Sequence, residues 1–312
     1  MDDIKIFTLT SENYSEIVQV NNTELPDLAT IRNYEEKGSH DTDLYNIAAI
    51  TSEGHYVGYG RYVSGTWDPI LKPGHAEIAV NVDKDWRNKG IGSSILKEIE
   101  NLALKYNAIV LQTNIEDYKN ECFKWYKNNG FEIYSHTFES QLDLTQFETT
   151  QYESIFSELE TLGIRFTTLA DFSQEDASSN RFWDLWWELV KDVPGMEDKP
   201  RPENDRMISL SRDFDKNGFI LATQGDEWVA LSMIVKENND SYYNSMTGVI
   251  REYRGKGLAL ALKVKAIEFA KNNKAKYIRT HNDSKNTPML AINKKLGYKS
   301  KSGFYNLIKR IH

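Results

Sequence analysis

The sequence predicts two α/β domains in tandem, each with a mixed β-sheet flanked by helices. Three observations support this prediction. The chain has 312 residues, about twice the length of a common single domain. One stretch of the chain repeats another at a nearly constant offset. In both copies predicted strands alternate with predicted helices, which is typical of a mixed sheet covered by helices.

A glycine-rich loop is the clearest mark of the repeat. Residues 87–92, RNKGIG, return as residues 254–259, RGKGLA, at an offset of 167 residues. The same offset relates Val82 to Val249 and Gly130 to Gly297. Because several landmarks share one spacing, we interpret the chain as a duplication. The predicted domains are residues 1–148 and 160–312, with a polar, acidic join between them.

The order of predicted elements is the same in the two copies. After the first loop Ile91, Ile95 and Ile99 recur at helical spacing, and Gly130 stands where a later helix is expected to end. In the first copy we predict strands at 4–10, 44–51, 55–64, 75–82, 108–114 and 131–138, and helices at 13–36 (broken near Pro26), from 91 and at 120–128. In the second copy we predict strands at 164–169, 218–223, 228–235, 241–249, 277–280 and 298–308, and helices from 258 and at 288–296.

Composition excludes several classes of function. The net charge of −8 argues against a nucleic-acid binder and fits a cationic or amine-bearing partner better. Cys122 is the only cysteine, which excludes an intrachain disulfide and favours the cytoplasm. The N-terminus lacks a signal-peptide pattern, and no apolar run has membrane-spanning length. We expect a cytoplasmic monomer or homodimer that binds no membrane and, lacking ligand-spaced His, Cys or carboxylates, no metal.

The glycine-rich loops have the chemistry of an anion site. Glycine lets the backbone approach a ligand closely and adopt left-handed angles. A helix beginning directly after the loop offers unpaired N–H groups and the positive end of its dipole. Basic side chains add positive charge, and the predicted ligand is a phosphate or diphosphate. A plain tight turn is the alternative, which the repetition disfavours. Neither loop has the pattern of a P-loop or of a three-glycine dinucleotide motif.

These motifs resemble those of the GNAT superfamily of N-acetyltransferases. The pattern Val82-x4-Arg87-x-x-Gly90-x-Gly92 is followed by WYKNNGF at 125–131, and the second copy carries a similar pair of motifs. The resemblance implies two GNAT acyl-CoA N-acyltransferase folds, each with a central sheet splayed open around acetyl-CoA, whose diphosphate the loop amides would hold. The implied cofactor-binding residues are Val82, Arg87, Asn88, Lys89, Gly90, Ile91, Gly92, Ser93 and Asn120, and in the second copy Val249, Arg254, Gly255, Lys256, Gly257, Leu258, Ala259 and Asn286.

The resemblance also implies catalytic residues. GNAT enzymes commonly take a base from the strand before the loop, and a tyrosine on a later helix commonly protonates the thiolate. Glu77 and Tyr126 stand at these places in the first half. The constant offset aligns them with Asn244 and Asn293, which are poor acids and bases. We therefore predict that the first half is catalytic, although Glu77 as a solvated strand residue and Tyr126 as a packing residue remain alternatives.

Two observations leave the assignment open. The family commonly has an asparagine seven residues before the tyrosine, and the second half keeps it as Asn286, whereas the first half has Lys119 there and Asn120 next to it. The segment 182–189, FWDLWWEL, is interpreted as a buried helix that packs in a core, or as a lining of an acceptor cleft in which Asp184 or Glu188 attracts a cation.

Three functions are compatible with these motifs. The first is N-acetyl transfer from acetyl-CoA to the amine of a small molecule, and the second is acyl-CoA binding or sensing without catalysis. The third is a transfer-RNA-dependent aminoacyl transferase, which the acidic charge and the two retained CoA-type loops disfavour. We expect the first.

Overall fold

The computed structural model describes residues 3–10, 12–14, 17–18, 25–36, 42–65, 71–172, 176–194, 196 and 199–311. The chain divides into two compact units. Unit 1 contains residues 1–134, 198–200 and 305–312, and unit 2 contains residues 135–197 and 201–304. Within the described residues, no helix has the length and apolar composition that a membrane crossing requires.

Unit 1 has a mixed sheet in which one pair of the described strands is parallel. The strands lie in the order β1-β2-β3-β4-β5. Successive strands pair antiparallel up to β4, and β4 pairs parallel with β5. The elements are β1 (Lys5–Thr8), α1 (Leu28–Glu36), β2 (Thr42–Ile50), β3 (Tyr56–Gly65), β4 (His75–Val82), α2 (Ile91–Lys105), β5 (Val110–Glu116) and α3 (Asn120–Asn128).

Unit 2 repeats this arrangement with additional helices. Its strands lie in the order β6-β11-β10-β9-β8-β7, and β10 pairs parallel with β11. The elements are β6 (Glu132–Asp143, in unit 2 from Ser135 onwards), α4 (Glu153–Thr161), β7 (Ile164–Thr168), α5 (Asp176–Val190), α6 (Asn204–Leu210), β8 (Phe219–Gln224), β9 (Glu227–Lys236), β10 (Ser241–Val249), α7 (Leu258–Asn272), β11 (Tyr277–Asp283), α8 (Thr287–Lys295) and β12 (Lys299–Arg310).

Each unit has a gap between its two parallel strands. In unit 1 the pairing of β4 with β5 ends at Glu77 and Gln112, although both strands continue. In unit 2 the pairing of β10 with β11 ends at Tyr243 and Arg279. The splayed mixed sheets confirm the expected fold class. Within the described residues, the edge of β4 that faces β5 and the edge of β10 that faces β11 have no strand partner beyond the fork.

The last strand of each unit comes from a different part of the chain than the repeat order suggests. Residues 305–310 of β12 belong to unit 1, where Leu307 is buried in the core around α2. Residues 135–143 of β6 belong to unit 2 and pair antiparallel with β11. Ser140 and Leu307 are separated by the repeat offset, so these strands occupy equivalent places in the two units.

The structure differs from the sequence predictions in two segments. The predicted helix at 13–36 is helical only from Leu28, after Pro26, and residues 15–16 and 19–24 lie outside the described residues. The polar stretch expected to join the domains contains helix α4, whose Leu159 is fully buried in the core of unit 2. Neither α4 nor α6 is predicted, because short helices with few apolar residues have a weak periodicity.

Candidate functional site

The two glycine-rich loops have the same backbone conformation. Gly90 and Gly257 precede α2 and α7 with φ of 84° and 85°. Two residues earlier, Asn88 and Gly255 are also left-handed, with φ of 61° and 77°. Among the described residues no side chain caps either helix. The first-turn N–H groups of both helices are therefore available to an anion.

The arginine of each loop supports the loop itself. Arg87 donates from Nε to the carbonyl of Val82 over 3.1 Å, and Arg254 donates to that of Val249 over 2.9 Å. Each bond ties the loop to the end of the preceding strand. The lysines of the loops, Lys89 and Lys256, lie over the aromatic rings of Trp86 and Tyr253, at 4.2 and 4.7 Å from the ring centres.

The first loop opens into a cavity of about 420 Å³. Trp125 of α3 forms one wall and comes so close to Gly92 that a Cβ there would lie 3.1 Å from the indole. A side chain at residue 92 would therefore require the indole to shift by a few tenths of an ångström. The cavity is lined by Val80, Asn81, Val82, Trp86, Arg87, Asn88, Gly90, Gly92, Ser93, Glu121, Cys122, Trp125 and Tyr126.

Tyr126 bridges the gap between β4 and β5. Its hydroxyl interacts with the Thr113 side chain on β5 and with the backbone of Val80 on β4. The ring makes edge-to-face contacts with Trp125 and Phe131. Burial raises the pKa of Tyr126 to about 12, against the opposing effects of Thr113 and Val80. The phenol therefore keeps its proton at neutral pH and can act as an acid beside the cavity.

Glu77 is the last residue of β4 that pairs with β5, but it does not line the described cavity. Arg61 of β3 donates to Glu77 Oε1 over 2.6 Å. This ion pair uses one of the two carboxylate oxygens and fixes the side chain at the fork of the sheet. Three of the predicted cofactor-binding residues of unit 1 also lie outside the cavity lining, namely Lys89, Ile91 and Asn120.

The second loop opens into a cavity of about 530 Å³. Of the predicted residues in unit 2, only Lys256 is absent from its lining. Asn286 caps α8 by accepting a hydrogen bond from the N–H of Met289 over 3.4 Å. The cavity is lined by Leu189, Asp192, Val193, Met246, Thr247, Gly248, Val249, Tyr253, Arg254, Gly255, Gly257, Leu258, Ala259, Leu260, Asn286, Pro288, Met289, Ala291, Ile292 and Lys295.

Asp192 is a charged group of this cavity that the sequence does not predict. It pairs with Arg251 over 2.5 Å and also with Arg254. Hydrogen bonds first from Arg251 and then from Arg254 hold the pKa of Asp192 well below its usual range. The carboxylate is therefore charged at neutral pH and offsets the charge of the loop arginine. Diphosphate binding in unit 2 would then depend chiefly on the backbone amides.

The alignment of Glu77 with Asn244 is wrong. Ser245 is an extra residue in a β-bulge of β10, where the register against β9 shifts between Asn244 and Met246. No shift occurs between β4 and β3. For the residues of β10 before the bulge, the repeat offset is therefore one residue smaller. Tyr243 is the last residue of β10 that pairs with β11, as Glu77 is the last residue of β4 that pairs with β5, so Tyr243 corresponds to Glu77. At the position of Glu77 unit 2 therefore has a tyrosine in place of a carboxylate.

The interior of unit 2 is polar where that of unit 1 is apolar. Five matched interior positions have a polar side chain only in unit 2. Unit 1 has Gly60, Ile78, Leu96, Ile115 and Phe131 at these positions, and unit 2 has, in the same order, Ser232, Asn244, Lys263, Asn282 and Tyr298. The Lys263 side chain is buried, with 1% of the residue exposed. Its Nζ donates to Asn244 Oδ1 over 2.9 Å. Burial lowers the pKa of Lys263 to about 7.

Asn293, which aligns with Tyr126, is part of this polar interior. It donates to Asn282 Oδ1 over 2.6 Å, and Asn282 donates to Ser140 Oγ over 2.8 Å. Within the described part of the chain, Asn293 Oδ1 and the Tyr298 hydroxyl are buried without a hydrogen-bond partner. An amide replaces the phenol here, so unit 2 has no equivalent of the Tyr126 acid.

The tryptophan-rich segment lies on α5 and chiefly forms a core. Phe182 and Trp183 are buried in one cluster of unit 2, and Trp186 and Trp187 are partly buried against it. Asp184 pairs with Arg201, and Glu188 pairs with Lys191 over 2.6 Å. Both carboxylates expected to attract a cation are thus already paired.

Comparisons with known proteins agree with this architecture. The chain matches the acetyltransferase (GNAT) family model over residues 6–131 and 182–298, and no curated protein sequence matches it. It is similar to the structure of a GCN5-related N-acetyltransferase from Sphaerobacter thermophilus, with a TM-score of 0.62, 15% identity and coverage of 91% of this chain and 85% of that chain.

Two further solved structures have a similar fold. One is a tandem GNAT protein from the clavulanic acid biosynthesis pathway, with a TM-score of 0.58, 16% identity and coverage of 99% of both chains. The other is a glucosamine N-acetyltransferase region in a fungal multi-domain β-N-acetylglucosaminidase, with a TM-score of 0.64, 12% identity and coverage of 99% of this chain and 38% of that chain. At such identities the similarity concerns the fold.

Proposed function

We propose that this chain, which belongs to the acetyltransferase (GNAT) family and is therefore an acyltransferase, moves an acetyl group from acetyl-CoA to the amine of a small molecule, with unit 1 catalytic. One observation carries the proposal. In unit 1 a protonated tyrosine, Tyr126, bridges the two separated strands and lines the cavity at the glycine-rich loop. Unit 2 has a similar loop but an asparagine in that place.

The residues present fit acetyl-CoA. The uncapped N–H groups of α2 would hold its diphosphate, and Gly90 and Gly92 leave the backbone accessible. The edge of β4 beyond Glu77 offers peptide groups for the pantetheine amides. When bound, acetyl-CoA supplies the activated acetyl group. We extend the same binding role to unit 2 because its loop has the same backbone angles.

The chain's own residues would move the protons. Glu77, held by Arg61 through one oxygen, would accept a proton from the attacking amine. Tyr126, which is protonated at neutral pH, would donate a proton to the departing thiolate. A thiol-release assay over a panel of small primary amines tests the proposed function, and no release with any of them would contradict it.

Replacing Tyr126 by phenylalanine tests the proposed acid. We expect Tyr126→Phe to lower kcat by about 10²-fold, because the ring and its contacts remain while the proton donor is lost. The dissociation constant for acetyl-CoA should stay nearly unchanged. Steady-state kinetics and cofactor titration measure the two quantities. A variant with normal kcat would remove Tyr126 from the mechanism.

Replacing Glu77 by glutamine tests the proposed base. We expect Glu77→Gln to lower kcat by about 10²-fold, because the amide keeps the shape of the side chain but accepts no proton at neutral pH. Glu132→Gln is the control, since Glu132 is an exposed carboxylate that pairs with Arg310 in the same unit. Equal turnover in both variants would assign Glu77 a structural role through its ion pair with Arg61.

A further inference from the structure

The fork of the sheet in unit 2 has its own pair of titratable side chains. Strands β10 and β11 separate after Tyr243, as β4 and β5 separate after Glu77. Tyr243 thus occupies the position in which unit 1 has its proposed base. The bulge at Ser245 conceals this equivalence in the sequence.

Tyr243 forms a hydrogen-bonded pair with His281. The Tyr243 hydroxyl lies 3.1 Å from Nδ1 of His281, and the two ring centres are 5.7 Å apart. His281 stands on β11 two residues beyond Arg279, the last residue of β11 that pairs with β10. The pair therefore connects the two strands just where they diverge. Tyr243 is half-buried and His281 is exposed, so an acceptor can reach the pair from solvent.

We propose that Tyr243 and His281 are the proton-transfer pair of a second acetyl-transfer site, in unit 2, which also acts on the amine of a small molecule. This inference rests on the proposed function, because it requires acetyl-CoA in the cavity at the second loop. It goes beyond that function by giving unit 2 an acid–base pair of a different kind from Glu77 and Tyr126.

The proton inventory of this site balances without another reactant. The amine nitrogen forms a bond to the thioester carbon while the carbonyl π electrons move to oxygen. A proton passes from nitrogen to the Tyr243 oxygen as the Tyr243 proton passes to His281 Nδ1. The oxygen electron pair then re-forms the carbonyl as the C–S bond breaks with its electron pair on sulfur, and the His281 proton returns through Tyr243 or solvent to the thiolate. The relay requires the neutral His281 tautomer with its proton on Nε2.

His281 has charged neighbours on both sides of β11. Glu139 on β6 stands directly opposite His281 in the antiparallel register. Glu237, after β9, has a lowered pKa, chiefly through its hydrogen bonds from Arg279 and to a smaller extent through His281. Arg279 pairs with Glu139 over 2.7 Å and with Glu237 over 2.5 Å. The described neighbours of the Tyr243–His281 pair thus include two carboxylates and one arginine.

Tyr243 is suited to a relay. Burial raises the pKa of Tyr243, against the opposing effect of a hydrogen bond with the His281 backbone. The phenol is therefore neutral before and after the transfer, and His281 is the group that changes charge. Phe304 packs against the imidazole, with ring centres 5.9 Å apart and planes at 32°, and helps to hold the ring in place.

A chain with an inactive unit 1 tests this inference. Gly90→Glu places a carboxylate in the first loop, and thiol release from acetyl-CoA is then measured over the panel of small primary amines. We expect release above the uncatalysed rate. In this background Tyr243→Phe and His281→Gln should each lower kcat at least about tenfold, with little change in KM for acetyl-CoA. His281→Gln should also remove the acidic limb of the pH profile. Adding Glu132→Gln, at an exposed carboxylate outside both proposed sites, is the control and should change nothing.

The outcomes distinguish this inference from the proposed function. No release by the Gly90→Glu chain, with release by the wild type, overturns the second site and leaves unit 1 catalytic. Unchanged kcat in both variants, with the acidic limb retained in His281→Gln, overturns the role of the pair. A wild type inactive with every amine contradicts both proposals. Thermal unfolding of each variant, expected within a few degrees of the background, separates lost chemistry from lost folding.

Discussion

Lys263→Leu is expected to stabilise the protein against unfolding at neutral pH by about 2 kcal/mol or more. The leucine reproduces Leu96, which occupies the matched position on α2 in unit 1. It removes an amine that is buried without a carboxylate partner in the described residues. The hydrogen bond to Asn244 Oδ1 is lost, but Thr247 continues to donate to that oxygen over 3.1 Å. Urea unfolding at fixed pH measures the difference.

The sign of the pH dependence follows from the two pKa values of Lys263. Burial lowers its pKa from 10.5 to about 7 in the folded chain. Below pH 7 the amine is protonated in both states, and the full cost of burying the charge is present. Between pH 7 and 10.5 only the unfolded chain keeps the proton, so the free energy of unfolding rises with pH. The expected rise from about pH 7 to about pH 10 is about 3 kcal/mol.

Two variants separate this effect from other titrations. Lys263→Leu should lack the rise attributed to the buried amine. Lys265→Leu, which removes a lysine of the same helix whose side chain reaches solvent, should keep it. Parallel pH curves for the wild type and Lys263→Leu would show that the Lys263 amine stays charged in the folded chain.

Gly90→Glu is expected to weaken acetyl-CoA binding in unit 1 by at least about 100-fold. The substitution puts a side chain on a residue with φ of 84° and introduces a negative charge where N–H groups converge on an anion. No described atom lies within 4 Å of the new Cβ, so the fold should persist. Equilibrium dialysis with acetyl-CoA measures the loss as the disappearance of one class of site.

The second loop is better tested at Gly255 than at Gly257. A Cβ on Gly257 would lie 2.6 Å from Ile155 Cδ1, so a substitution there would disturb packing as well as binding. Gly255 has φ of 77° and open space around it. Gly255→Glu should therefore abolish binding in unit 2. Gly255→Asn is the control, because Asn88 has the same left-handed conformation at the matched position of the first glycine-rich loop. Unimpaired binding by Gly255→Glu would exclude this loop from the cofactor site.

The loops could be predicted from the sequence because their conformation demands particular residues. A helix that begins with a left-handed residue favours glycine, and this requirement marks Gly90 and Gly257. The positions of Glu77 and Tyr126 followed from the family resemblance. The structure confirms the two splayed sheets, whereas the binding roles of the loop residues and the domain boundaries at 148 and 160 stay predictions.

Other features leave little trace in the sequence. The bulge at Ser245 adds one residue to a strand without changing its composition, so the constant offset pointed to Asn244 instead of Tyr243. Lys263 comes after a run of apolar residues on α7. A lysine on the exposed face of a helix would have the same spacing, so the sequence does not show that Lys263 is buried. Only the burial of α7 on nearly every side shows that it lies inside.

The exchange of last strands is also invisible in the sequence. Strands β6 and β12 have the same place in the repeat, and either could complete either sheet by local pairing rules. Which sheet each one joins is decided by long-range packing, such as the burial of Leu307 in the core of unit 1.

Calorimetric titration of the wild-type chain with acetyl-CoA tests the central claim most directly, because the claim is that both loops bind a diphosphate through helix N-terminal amides. The account predicts two molecules bound per chain, falling to one in Gly90→Glu and to one in Gly255→Glu. A wild-type stoichiometry of one or zero, or a stoichiometry that neither substitution changes, would contradict it.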